Sequence, residues 1–203
     1  MGTSTITTCI ECRDSLTAPL RKPSMRYLDE FLRLRCAPDL LAWGLFPNSK
    51  EITESLAAYE AVRQYLWPSW LPDDPRIEVF CVGDGATPRT AATFALRSKW
   101  QVHSVDPRLR RESEQLPIDR LWVNRCKVED LVVANRPARS IIVAVHSHAD
   151  LHRAYMACRG AEETAVIAMK CCVPQNLGVP PDEIYEDFGV WSPHRTVQVW
   201  RSI

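Results

Sequence analysis

The spacing of apolar residues changes character near Pro75. Upstream of it, Leu28, Phe31, Leu32 and Leu34 fall at helical intervals, which predicts a short amphipathic helix over Met25–Arg35. Asn48 followed three places later by Glu51 reads as a capping box. Ile52, Leu56, Tyr59, Val62 and Leu66 then repeat at the period of a helix over Ser49–Leu66, ended by Trp67-Pro68 and Leu71–Pro75. These helices are expected to cover one edge or mouth of the domain downstream. Beyond Pro75, short apolar runs alternate with helical stretches. Ile77–Val82, Trp100–Val105, Leu121–Cys126, Ile141–Val145 and Ala165–Met169 read as strands. Arg89–Ser98, Val128–Asn135 and Leu151–Arg159 read as the helices among them.

Strands separated by helices imply a parallel sheet with right-handed crossovers. The tail breaks this rhythm: Ile184–Val190 and Thr196–Trp200, joined through Ser192-Pro193-His194, predict an antiparallel hairpin. The fold class is therefore α/β, a three-layer Rossmann-like sheet, mostly parallel, with a C-terminal antiparallel hairpin and N-terminal helices. Residues 1–24, rich in Thr, Ser and Pro and without hydrophobic period, read as a flexible leader. Residues 25–75 form the N-terminal helices and 76–203 the α/β core.

Composition narrows the partners. Hydrophobic residues make up 46% and charged residues 25% of the chain, the balance of a folded globular protein. Lys+Arg and Asp+Glu both number 25, so the totals give no basic surface for nucleic acid; Arg108, Arg110 and Arg111 form a local basic cluster that reads first as a solvated loop. No run is long enough to span a membrane and the start lacks a signal-peptide pattern, which predicts an intracellular, cytoplasmic protein. Without export, most of the 8 cysteines are expected as reduced thiols. Cys9 and Cys12 have CxxC spacing and Cys36 could add a ligand, but no second pair completes a four-ligand zinc site. Most of the tryptophans, Trp43, Trp67, Trp70 and Trp191 among them, are expected to be packing residues.

The chemistry concentrates at the first strand–helix junction. Gly83-Asp84-Gly85-Ala86-Thr87 joins a strand to a helix, and its glycines let the backbone pass close to a ligand. Thr87 reads as the N-cap and Pro88 as the first helical residue, so free N–H groups point at whatever occupies the loop. Asp106 closes the second strand about 20 residues further on, where a carboxylate can accept both ribose hydroxyls. Together these describe a nucleoside pocket; a tight turn with a solvated Asp is the plainer alternative. Pro88 occupies the third glycine position of the dinucleotide fingerprint, which weakens an NAD reading.

This layout resembles the class I S-adenosylmethionine-dependent methyltransferases over residues 50–203. The resemblance implies S-adenosyl-L-methionine as cofactor, with Gly83, Asp84, Gly85 and Thr87 at its methionine end and Asp106 on its ribose. Lys127 stands where the family often has an acid for the adenine, leaving Glu129 or Asp130 to serve. His146-Ser147-His148-Ala149-Asp150-Leu151 is similar to the His-x-Cys-Gly-Asp-Leu motif of a subgroup that includes tRNA-modifying enzymes, and Cys171-Cys172 matches that subgroup's Cys-Cys pair. His148 and Ala149 replace its Cys-Gly. The resemblance implies methyl transfer to an unidentified acceptor, with RNA as the favoured class. His146 or His148 would then be the base and Asp150 would orient the acceptor. No metal is expected.

Three rivals stand beside this reading. A methyltransferase-fold scaffold that has lost catalysis fits the irregular glycine loop and Lys127. A nicotinamide oxidoreductase fits the pocket alone. A metal hydrolase fits His146, His148, Asp150 and His152, since alternate residues on an extended segment share a face; but only about fifty residues come after them, too few for the second half of such a fold.

Overall fold

The computed structural model describes residues 24–203. Cys9 and Cys12, and with them the CxxC reading, lie outside the described residues, as does most of the expected leader. Seven strands form one sheet: β1 (Ile77–Val82), β2 (Gln101–Val105), β3 (Leu121–Asn124), β4 (Arg139–Val145), β5 (Glu163–Met169), β6 (Glu183–Glu186) and β7 (Thr196–Trp200). Their order is β3-β2-β1-β4-β5-β7-β6. β1 to β5 are parallel, and β7 runs antiparallel between β5 and β6. This is the mostly parallel, Rossmann-like sheet with a C-terminal antiparallel pair that the sequence pattern predicts.

The central strands read as continuous apolar runs because both of their faces are covered. Ile77, Val79 and Cys81 of β1 point to one face, with Ile141, Val143, Ala165 and Ile167. Phe80 and Val82 point to the other, with Ile142, Ala144, Val166 and Ala168. The first face carries α1 (Arg26–Arg33), α2 (Ala37–Ala42), α3 (Ser49–Tyr65) and α4 (Arg89–Arg97). Tyr27, Phe31, Leu40, Leu56, Val62 and Phe94 join the sheet in one core, so the N-terminal helices complete the domain rather than flank it. The second face carries α5 (Leu151–Cys158) and the loop after β5, whose Val179 carbonyl accepts from the Trp200 indole.

Several elements differ from expectation. α2 has too few residues to show a hydrophobic period, so no sequence pattern marks it. Val128–Asn135 folds as a single 3-10 turn over Val128–Asp130, with Val128 buried and Leu131 and Val133 packed partly buried against the same core at extended rather than helical spacing. β3 stops at Asn124 and β6 at Glu186, each an edge strand paired on one side. The cap of α4 is also not the local one expected. Pro88 is the N-cap, Thr87 donates instead to the Leu45 carbonyl, and Asp84 caps from the turn itself, accepting from the Thr90 and Ala91 amides at 3.0 and 3.1 Å. At α3 the expected cap is present, with Asn48 accepting from the Glu51 amide, and Asp150 caps α5 through the Arg153 amide.

Candidate functional site

The strand order reverses between β1 and β4, and a sheet of this kind leaves its crevice outside the carboxyl ends of the strands at that point. A cavity of about 540 Å³ opens there. Gly83 and Asp106 line one wall, Lys127 and Glu129 the floor, and His146, His148 and Asp150 the other wall.

The first wall is built locally. Gly83 has φ +75° and donates to the Val105 carbonyl, tying the turn to the end of β2. A Cβ on Gly83 would lie 2.3 Å from Ser147 Oγ and 3.0 Å from Ser147 Cα, so the turn and the loop after β4 touch only because Gly83 has no side chain. Gly85 has φ +87°, and a Cβ there would meet the Arg89 guanidinium at 2.6 Å. Asp106 is buried; its two carboxylate oxygens accept from the Gly85 amide at 2.9 Å and the Arg108 amide at 2.7 Å. The Arg108 guanidinium also stands 3.5 Å from Oδ1, so Oδ2 is the oxygen that keeps a lone pair for a ligand.

Asp84 faces away from this cavity. Besides its two α4 amides it accepts from Ser104 Oγ at 2.9 Å, wholly inside the protein. Burial pushes its carboxyl up against the lowering effect of Arg89 and of these donors. Arg89 is held over the turn by Glu51 at 2.7 Å. Thus Gly83, Asp106 and Glu129 come together at the cavity, whereas Asp84, Gly85, Thr87 and Asp130 are not among its lining residues. Asp84 and Thr87 shape the turn from behind.

The second wall is assembled from distant segments. His146, at φ +49°, comes directly after β4; its Nδ1 lies 3.0 Å from the Lys170 carbonyl, and its Nε2 lies 2.8 Å from Glu54 Oε1. A carbonyl only accepts, so Nδ1 carries a proton. Nε2 then faces the Glu54 carboxylate. The His146 that sequence reasoning offers as a base therefore has Nδ1 on a carbonyl and Nε2 beside a buried carboxylate. Glu54, from the middle of α3, is 3% exposed and also pairs with Lys50 at 3.0 Å. Burial pushes its carboxyl up, but the hydrogen bond and charge of His146 and the charge of Lys50 outweigh this and hold it below the usual glutamate value.

Sequence reasoning missed Glu54. The one available signal was α3 itself, buried from Ile52 to Tyr59 on every side, so any charge there needs a partner.

His148 turns away from His146 and towards the residues after β5. Its Nε2 lies 3.7 Å from Cys171 Sγ and 3.8 Å from Cys172 Sγ. The alternation His146, His148, Asp150, His152 does not converge on one point: His146 goes to Glu54 and Asp150 to the cap of α5. Gln175 braces the region by donating to the Ser147 carbonyl at 2.8 Å. Cys126 lines the cavity with its thiol pushed up by burial, and the apolar Cys158 behind it is pushed up to about 12, so neither is an activated nucleophile.

No protein-family model and no curated protein sequence matches the chain. Among solved structures it is similar to a mutant of MtNAS at 14% identity and TM-score 0.49, covering 86% of this chain and 67% of that one. It is similar to the N-methyltransferase NodS from Bradyrhizobium japonicum WM9 at 10% identity and TM-score 0.48, over 74% of this chain and 95% of that one. It is similar to 1,6-didemethyltoxoflavin-N1-methyltransferase from Burkholderia thailandensis at 17% identity and TM-score 0.39, over 90% and 75%. No helix of the described residues is long and apolar enough to cross a membrane.

Proposed function

We propose that this protein binds S-adenosylmethionine and transfers its methyl group to an acceptor. The observation that carries the reading is the cavity at the β1–β4 reversal, where a glycine turn, a buried acid at the end of β2 and a histidine-bearing loop meet. Its residues fit a nucleoside ligand. The volume of about 540 Å³ suits a small molecule. Asp106 is fixed by two amides, with Arg108 beside Oδ1, and Oδ2 keeps a lone pair for a ribose hydroxyl. Glu129, which lines the cavity as Asp130 does not, is the acid placed to receive an adenine amino group. Gly83 brings backbone close to the ligand, while Asp84, Gly85 and Thr87 shape the turn behind it.

The bound cofactor supplies an activated methyl on a sulfonium. The protein's part is then to position the acceptor and exclude water. His146, Asp150 and His148 form the acceptor side. His146 stands against the Glu54 carboxylate and the Lys170 carbonyl, which fix the orientation of its ring on that side. An RNA base is the first acceptor to assay, on the likeness of His146–Leu151 alone. A scaffold that binds cofactor without turnover is the second reading, favoured by the Glu54 carboxylate that stands 2.8 Å from His146 Nε2.

Calorimetry with S-adenosylmethionine and S-adenosylhomocysteine tests the pocket. Wild type should bind both, and Asp106→Ala should lose tenfold or more in affinity, since a charged hydrogen bond is worth about 1.5–3 kcal/mol. Absence of binding at high micromolar ligand, or an unchanged affinity in Asp106→Ala, overturns the assignment.

A further inference from the structure

His148, Cys171 and Cys172 form a cluster that neither the fold nor the cofactor pocket requires. Their ligand atoms all lie within 4.8 Å of one another. Neither cysteine is in a disulfide; their sulfurs are 3.7 Å apart, and each is 3.7–3.8 Å from His148 Nε2. These separations have a specific meaning. With Zn–S of about 2.3 Å and Zn–N of about 2.0–2.1 Å, a tetrahedral zinc ion holds two sulfurs about 3.8 Å apart and sulfur from nitrogen about 3.6 Å apart. All three edges of the cluster match that triangle within about 0.2 Å, the tolerance expected of a real site.

We propose that His148, Cys171 and Cys172 bind one thiophilic divalent cation, zinc above others, at the rim of the cavity. Two soft sulfurs and one imidazole select zinc over magnesium or calcium, which take oxygen ligands. Binding converts two thiols to thiolates and releases their protons to solvent, so the cation with two thiolates and a neutral imidazole makes an uncharged site. The backbone prepares it. His146 donates its amide to the Met169 carbonyl, and its Nδ1 meets the Lys170 carbonyl, pinning the two ligand-bearing loops immediately before His148 and Cys171. The cluster has three members among the described residues, and His148 and Cys172 are exposed, so the fourth position is open to solvent, as in zinc sites that do chemistry. This inference does not depend on the cofactor reading.

Full-length protein purified without an affinity tag and with a phosphine reductant should contain about one zinc per chain by elemental analysis. Cobalt exchanged into it should show thiolate charge-transfer absorption and the visible bands of a tetrahedral ion. Cys171→Ser/Cys172→Ser and His148→Ala should each lower zinc affinity at least tenfold in a chelator competition, with melting temperature in the presence of chelator unchanged. Cys9→Ser/Cys12→Ser should keep the ion. Calorimetry of Cys171→Ser/Cys172→Ser with S-adenosylmethionine should match wild type, which separates failure of the metal site from failure of the cofactor pocket. The proposal is overturned if the reduced wild type holds no zinc above background, if zinc persists in Cys171→Ser/Cys172→Ser, or if only Cys9→Ser/Cys12→Ser loses it.

Discussion

Two buried carboxylates stand behind the two walls of the cavity, and burial acts on them with opposite net results. Asp84, behind the glycine turn, has three neutral donors on its oxygens and Arg89 only nearby; its carboxyl is pushed up. Glu54, behind His146, is as deeply buried but meets the His146 imidazole at 2.8 Å and the Lys50 ammonium at 3.0 Å, and its carboxyl is held down. Amide and hydroxyl dipoles offset part of the cost of burying a charge; cations in direct contact offset more than all of it. The first wall is thus held by geometry, with a turn and a helix end sharing one acid. The second is held by ion pairing between two separate segments, α3 and the loop after β4.

The largest effect should come from the geometric wall. Gly83→Val adds a branched side chain at φ +75° and drives it into Ser147 Oγ at 2.3 Å. Backbone strain and overpacking each cost about 1–3 kcal/mol, so a combined loss of about 3–5 kcal/mol is expected in urea unfolding. A loss below about 1 kcal/mol would show that the two loops can separate freely.

Asp84→Asn comes next, at about 2 kcal/mol, because an amide nitrogen now faces a backbone N–H of α4. Its pH dependence carries a sign. The folded carboxyl lies above its unfolded value of about 3.9, so the stability Asp84 gives is full below that value and falls as pH rises through the folded one. The gap between wild type and Asp84→Asn should therefore widen as pH falls towards about 4.

Glu54→Gln should cost the least, about 1–2 kcal/mol at neutral pH, since the amide keeps the shape and one acceptor. Here the sign reverses. The folded carboxyl lies below the unfolded value of about 4.3, so its stability contribution is full above that value and is lost as pH falls through the folded one. The gap between wild type and Glu54→Gln should close in acid. Parallel slopes for the two variants would break the contrast between the walls.

Most of the fold was legible because its signals are local. Five parallel strands and a hairpin arise from apolar runs, turns and the break at Pro75, and Gly83, Asp106 and the His146–Asp150 loop all reach one cavity. The exceptions fall where local pattern is weak or misleading. Asp84 sits inside a glycine motif, and nothing local reveals that its side chain points back into α4 rather than out to a ligand. Val128–Asn135 has helical spacing, yet Leu131 and Val133 reach the core from an extended chain. What only the tertiary structure decided are pairings between distant segments: Glu54 of α3 with His146 after β4, and Cys171 and Cys172 after β5 with His148 rather than with Asp150 or His152. Hydrophobic period records which face of an element is buried. It carries no record of which charged or soft side chain waits on the other side of the sheet's edge, because that depends on how whole strands and helices align once the core has closed.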